Sequence, residues 1–318
     1  MRPLLALVAL VMATTASAQE QTGDLAWRPI VPAPAYAGDG PLVRVDEGHG
    51  SAQTIAGRYA GFTALLRADG YRVDTGLGRL DAPGALAGVR VLVISNPARP
   101  SDGSGRGSAF DDGEMDAIVR WIEDGGSLLL AADHAPHGSA AQALGQRLGV
   151  KMGLGYAFVV TPQGPTANLD FEGEGLGRHP VIAGRSAQER VRHVRSFTGQ
   201  SLEGPPGSSP LLFMPTETRE TVDQPTLLQV RRRLSAGEAS APVIAELSKP
   251  ALEAQGVAFP LGSGRVVVLG EAGMLTAQIV TFPDQEDREP FRFGLNTPGH
   301  DDQQFTLNAL HWLSGLIP

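Results

Sequence analysis

The sequence has no cysteine. That excludes disulfides, thiolate metal ligands, a cysteine nucleophile and a lipid anchor on an N-terminal cysteine. It fits an oxidising compartment, where a stray thiol is a liability. Lysine is almost missing, with Lys151 and Lys249 alone, a bias that reads as genome composition. There is no basic run, and the formal net charge is −8, or −9 once Arg2 is removed. An acidic chain of this kind argues against nucleic acid or an anionic membrane as partner. Beyond the N-terminus no apolar stretch is long enough to span a bilayer. Aromatics are sparse: of three tryptophans, Trp121 and Trp312 fall on core faces, which leaves no dedicated platform for stacking a sugar. Familiar catalytic devices are missing too. There is no G-x-S-x-G elbow, no Walker loop, no G-x-G-x-x-G after the first strand and no H-E-x-x-H.

What is present begins with an export signal. Arg2 gives a positive start, Leu4 to Met12 an apolar stretch, and Ala16-Ser17-Ala18 a cleavage site, so residues 1–18 read as a signal peptide. The mature chain is expected in the periplasm or outside the cell, free of the membrane after cleavage. Residues 19–40 are a Pro/Gly/Ala-rich leader, and residues 41–318 form one α/β domain with an insertion around residues 151–262. The 40 glycines and 24 prolines imply many turns around that core.

Strand and helix signals then alternate. Leu42–Asp46, Tyr71–Asp74, Val89–Ser95, Ser127–Ala132 and Arg265–Leu269 read as strands, several apolar at nearly every position. Helices are expected at Thr54–Ala68, Asp111–Asp124, Ala140–Leu148 and Gln303–Leu313. The second has a capping box, Asp111 with Glu114, and Gly125 just past its end. Short strands are expected at residues 191–197, 226–230 and 243–247. Fully apolar strands alternating with helices predict a three-layer, flavodoxin-like parallel sheet with irregular insertions.

In such a sheet ligands bind beyond the carboxyl ends of the strands. The residues that follow each strand are polar and titratable: Asp46-Glu47-Gly48-His49, Ser95-Asn96-Pro97, Asp133-His134-Ala135-Pro136-His137, and Gly270-Glu271-Ala272-Gly273-Met274. Asp133 and His134 could be a metal pair or an acid/base histidine with its carboxylate, or a cap beside a packed histidine. His49 carries the same two readings. Glu271 could be a base, a ligand, or the cap of the turn at Met274. The expected set is Asp133, His134 and Glu271 as catalytic residues. Asn96, His137, Gln278 and Asn296 would touch substrate, and Asp46, His49 and His134 would hold a divalent metal. Ser95 and Ser139 are weaker covalent candidates. His179 and His193 read as structural and His311 as solvated; His300 stays open beside Asp301 and Asp302.

The runs DEGHGSAQTIAGRYAGFTALLRADGYRV, WIEDGGSLLLAADHAPHG, GRVVVLGEAGMLTAQ and NTPGHDDQQFTLNALHWLSG, with ISNP after the third strand, resemble exported bacterial proteins of the class I glutamine amidotransferase-like superfamily. They are similar to its ThuA-like and domain-of-unknown-function branches. The resemblance covers most of residues 42–315 and implies a flavodoxin-like core. It also implies that Ala132-Asp133-His134-Ala135 stands at the turn that carries the nucleophilic cysteine in true amidotransferases, so glutamine hydrolysis by a thiolate is lost.

The reading favoured is a hydrolase-like enzyme that activates water against a small polar or carbohydrate-type ligand, with a divalent metal as the one cofactor the set would take. The alternative is a non-catalytic ligand-binding or interaction module.

Overall fold

In the computed structural model the described residues are 20–98, 107–161, 164–284 and 287–318. The signal segment and most of the Gly/Ser loop at residues 99–106 lie outside them.

Five parallel strands form the heart of the molecule. From one edge they are Arg72–Gly76, Leu42–Asp46, Val91–Ser95, Ser127–Ala131 and Gly264–Leu269. Numbered along the chain, this order is 2-1-3-4-5, so the direction of build-up reverses between Leu42–Asp46 and Val91–Ser95. The sheet then continues antiparallel through Ala254–Leu261, Leu202–Glu203 and Lys151–Met152, and Ser209–Phe213 also pairs with Ala254–Leu261. The fold is therefore mixed α/β with a mostly parallel central sheet and several smaller antiparallel sheets.

Alternate residues of the central strands feed two separate cores, as the two-residue period of a strand requires. Val91, Val93, Leu129 and Val267 pack with Phe62 and Leu65 of helix Ala60–Ala68 and with Phe305 and Leu310 of helix Asp302–Ser314. Leu92, Ile94, Leu128 and Val266 pack on the other face with Met115, Ile118 and Ile122 of helix Asp112–Glu123 and Leu144 of helix His137–Arg147. Burial on both faces is why these strands are apolar at every position. The capping box forms as expected: Asp111 accepts from the Glu114 backbone, and the Glu114 side chain accepts from the Asp111 backbone. No helix among the described residues is long and apolar enough to cross a membrane.

Three local expectations change. The first helix starts at Ala60, not Thr54, because the Gly57 and Tyr59 amides turn back to the Thr54 carbonyl and Glu47 Oε1 holds the Ile55 amide at 2.7 Å. Residues 226–230 are helical, within Gln224–Ser235, and residues 243–245 of the second stretch end the helix Ser240–Ala245. Asp223 caps the first through the Thr226 amide at 2.8 Å, and Leu227, Val230 and Leu234 recur at helical spacing. These helices close a third, small core of Phe158, Leu227, Val230 and Val243 on a separate antiparallel sheet. Finally, His311 is not solvated. Its helix is covered opposite the sheet as well, and His311 is fully buried with Nε2 2.7 Å from Asp69 Oδ2. Asp69 in turn accepts the Ala35 amide at 2.8 Å, which ties the leader to the core.

Candidate functional site

The carboxyl ends of the parallel strands converge on one cavity of about 300 Å³. Its walls include Asn96, Asp133, His134, His137, Gln53, Gln278, Arg58, Tyr156, Phe197 and Thr198. It lies beside the place where the strand order reverses, the position that an open α/β sheet offers to ligands. A larger cavity, about 1050 Å³, is lined by Arg178, His179 and the chain end and holds none of the expected site residues.

The turn after Ser127–Ala131 is held by a clasp. Asn96 Nδ2 donates to Asp133 Oδ2 at 2.5 Å, and the Asp133 amide returns a bond to Asn96 Oδ1 at 2.8 Å. Asp133 Oδ1 accepts the Ala272 amide at 2.9 Å, which links the fourth and fifth parallel strands. Buried Gln200 donates Nε2 to the carbonyls of Ala132 and Asp133 at 2.8 and 3.0 Å. The approach needs a glycine beneath it: a Cβ on Gly138 would lie 2.6 Å from Gln200 Nε2 and 2.8 Å from the Asp133 carbonyl oxygen.

Backbone strain concentrates here. Among the described residues three non-glycines have positive φ: Asn96 at 42°, Leu154 at 63° and Thr198 at 65°. Asn96 and Thr198 line the cavity, and the Leu154 amide is held by Gln200 Oε1 at 2.9 Å. A β-branched residue such as Thr198 rarely adopts this conformation, and such strain collects at ligand sites.

His134 is the group with chemistry to offer. Its Nδ1 lies 2.8 Å from the Ala135 carbonyl oxygen, so Nδ1 carries the hydrogen and Nε2 carries the lone pair. Its ring stacks on Tyr156, with centroids 3.6 Å apart and planes 19° apart. Tyr156 Oη donates to the same Ala135 carbonyl at 2.8 Å. Burial holds the His134 pKa below the ordinary histidine value, against the pull of the Asp133 charge. Among the described residues Nε2 has no hydrogen-bond partner.

The other expected residues divide. His137 lines the cavity with Nδ1 3.4 Å from the Pro97 carbonyl, and Gln278 lines it with Nε2 bonded to Thr276 at 2.7 Å. Glu271 sits behind the wall, 2% exposed, with its carboxylate accepting the Gly273 and Met274 amides. It is the cap of that turn, and burial together with the Asp133 charge pushes its pKa well above the usual carboxylate range. Asn296 is away from the cavity wall, bonded to Asp24 at 3.0 Å and to the Gln278 carbonyl at 3.1 Å. Ser95 is buried against Tyr59 at 2.6 Å, out of reach as a nucleophile.

The expected metal set of Asp46, His49 and His134 is not assembled. His49 is gripped on both sides: Nδ1 lies 2.8 Å from Asp46 Oδ2, and Nε2 lies 3.0 Å from Glu114 Oε1. Neither nitrogen is left to bind a cation, and among the described residues no three His, Asp or Glu are grouped to hold one. Burial opposes charge on His49, but Asp46 and then Glu114 outweigh it, and the pKa is raised.

Several pocket residues escape a reading of strand ends. Gln53, Arg58, Tyr156, Phe197, Phe293 and Arg231 come from loops, the insertion with its helix Gln224–Ser235, and the strand Phe291–Gly294. Phe197 and Phe293 stack with centroids 5.0 Å apart, so the cavity has aromatic walls that a count of Trp and Tyr does not show.

No protein-family model matches the sequence. No curated protein matches it either. Among solved structures the chain is similar to the mmIFT52 N-terminal domain, with 12% identity and a TM-score of 0.56 over 86% of this chain and 97% of that one. That likeness concerns the fold. It is also matched to a ThuA-like protein from Bacteroides uniformis at 14% identity and TM-score 0.42, covering 90% and 94% of the two chains. An exo-β-1,4-mannosidase from an Opitutaceae bacterium matches at 15% identity and TM-score 0.37, with 86% of this chain spanning 36% of that one. At these last two scores the matches leave the fold unconstrained.

Proposed function

We propose that the cavity binds a small polar or carbohydrate-type ligand and that His134 acts there as general base on water, making the chain hydrolase-like. One observation carries this reading: a half-buried, neutral imidazole faces the cavity with its tautomer set and Nε2 unbonded. A positioned base of this kind is worth roughly 10²–10⁴-fold in rate. We further propose that the chain is an exported member of the class I glutamine amidotransferase-like superfamily with a flavodoxin-like core. The 2-1-3-4-5 strand order, the sequence blocks that carry the resemblance and the Ala16-Ser17-Ala18 site support that placement. Cell fractionation and N-terminal sequencing test the export: a mature chain starting at Gln19 in the periplasm or medium is expected, and an intact Met1 in the cytoplasm would refute it.

A second reading has an observation of its own. Among the described residues no carboxylate bonds His134; Asp133 is committed to Asn96 and Ala272. That favours a binding module without turnover. The deciding experiment screens the mature chain on chromogenic esters and glycosides beside His134→Ala. Turnover lost in the variant supports the base. Equal turnover in both removes it. Ligand binding without turnover in either selects the binding module.

A further inference from the structure

The cavity contains polar groups that its own protein leaves unsatisfied. Gln53 and Gln278 are 4% and 2% exposed, and the side-chain oxygen of each is buried with no hydrogen-bond partner. Leaving such a buried acceptor unpaired is costly. Both residues line the cavity, and a small rotation of each side-chain amide would turn its unpaired oxygen toward hydroxyl groups of an occupant.

Two guanidinium groups face the same space from different walls. Arg58 precedes helix Ala60–Ala68, and its Nε donates to the Gln21 carbonyl at 3.2 Å. Arg231 belongs to the insertion helix Gln224–Ser235. Among the described residues no carboxylate pairs with either. Among the described residues Asp133 is the one acid on the wall, and both its oxygens already accept hydrogen bonds. The cavity thus offers two cations, two hungry amide oxygens and the stacked rings of Phe197 and Phe293.

We infer that the ligand is an anionic sugar: its carboxylate or phosphate is held between Arg58 and Arg231, its hydroxyls donate to Gln53 and Gln278, and its apolar face lies against Phe197 and Phe293. Planar guanidinium forks suit either oxyanion. This inference rests on the cavity being a small-ligand site, as proposed above.

The test is equilibrium binding to the full mature chain, with matched sets in the gluco, galacto and manno series: neutral hexose, uronate and hexose 6-phosphate. Acetate and inorganic phosphate are added as bare anions. In at least one series an anionic sugar should bind about tenfold or more tightly than its neutral partner. The winner of uronate and 6-phosphate identifies the oxyanion. Arg231→Gln and Arg58→Gln should each remove about tenfold of that preference, while Gln278→Leu should weaken neutral and anionic sugars alike. Arg231 lies on an exposed helix, so its variant tests the idea even if Arg58→Gln fails to fold. Neutral sugars that bind as tightly as the anionic ones, unchanged in Arg231→Gln, would overturn the inference and leave the small-ligand site standing. Bare anions that bind as tightly as any sugar would overturn the polyol half. No binding by any probe, with no turnover of any ester or glycoside, would overturn the inference and the proposed function together.

Discussion

His134 lies flat on Tyr156, ring centroids 3.6 Å apart, and both side chains bond the single carbonyl oxygen of Ala135. The pair fixes the imidazole in direction and tautomer without a carboxylate. Tyr156→Leu should therefore keep the fold and lower turnover by about tenfold, less than the 10²-fold or greater loss expected for His134→Ala. Steady-state kinetics on any substrate found by the screen separates the two.

The depressed pKa of His134 has a direction that kinetics can read. The base stays neutral below the ordinary histidine pKa of about 6.5. The acid limb of kcat/KM should thus fall below that value. A limb at or above it would show that burial does not govern this imidazole.

Gly138→Ala should cost about 2 kcal/mol, because the new methyl displaces Gln200 and leaves its buried amide unpaired. Urea titration measures the loss. Ligand affinity should drop in the same variant, since the Asp133-His134 turn loses its clasp.

His49, between Asp46 and Glu114, gives a pH signature in stability. Its pKa is higher in the folded protein than in the unfolded chain. The unfolded state therefore releases its proton first as pH rises. The contribution is complete below about 6.5 and fades as pH climbs through the folded value. Unfolding midpoints should fall over that interval in the native protein and stay flatter in His49→Gln. The same variant should bind no less divalent metal than the native chain, measured by elemental analysis, because both His49 nitrogens are already engaged.

Asp133→Asn should move the Glu271 carboxyl back toward its usual range, since the Asp133 charge is second only to burial in raising it. Carbon NMR titration of that carboxyl follows the shift.

Much of the sheet was written in local pattern. Leu42–Asp46, Val91–Ser95 and Ser127–Ala131 announce themselves as strands buried on both sides, and the Asp111–Glu114 box marks its helix. The strand-end rule also brought Asn96, Asp133, His134 and His137 to one cavity. It failed where a second partner comes from far along the chain. Nothing near His49 signals that the capping glutamate Glu114, 65 residues on, takes its other nitrogen. Nothing near His311 signals Asp69. The insertion misled for a different reason: TLLQV is short and rich in branched residues, and the Asp223 cap that makes it helical lies just outside that window. Arg231 and Phe197 could be placed at the cavity only once the insertion had folded over it.

The insertion helix that supplies Arg231 and Leu227 to the cavity stands on its own core of Phe158, Val230 and Val243, apart from the two cores that hold the parallel sheet. A roof with separate foundations can be rebuilt without disturbing the floor. Descendants of this chain could change what they recognise by exchanging residues 224–247 while Asn96, Asp133 and His134 stay where the strands put them.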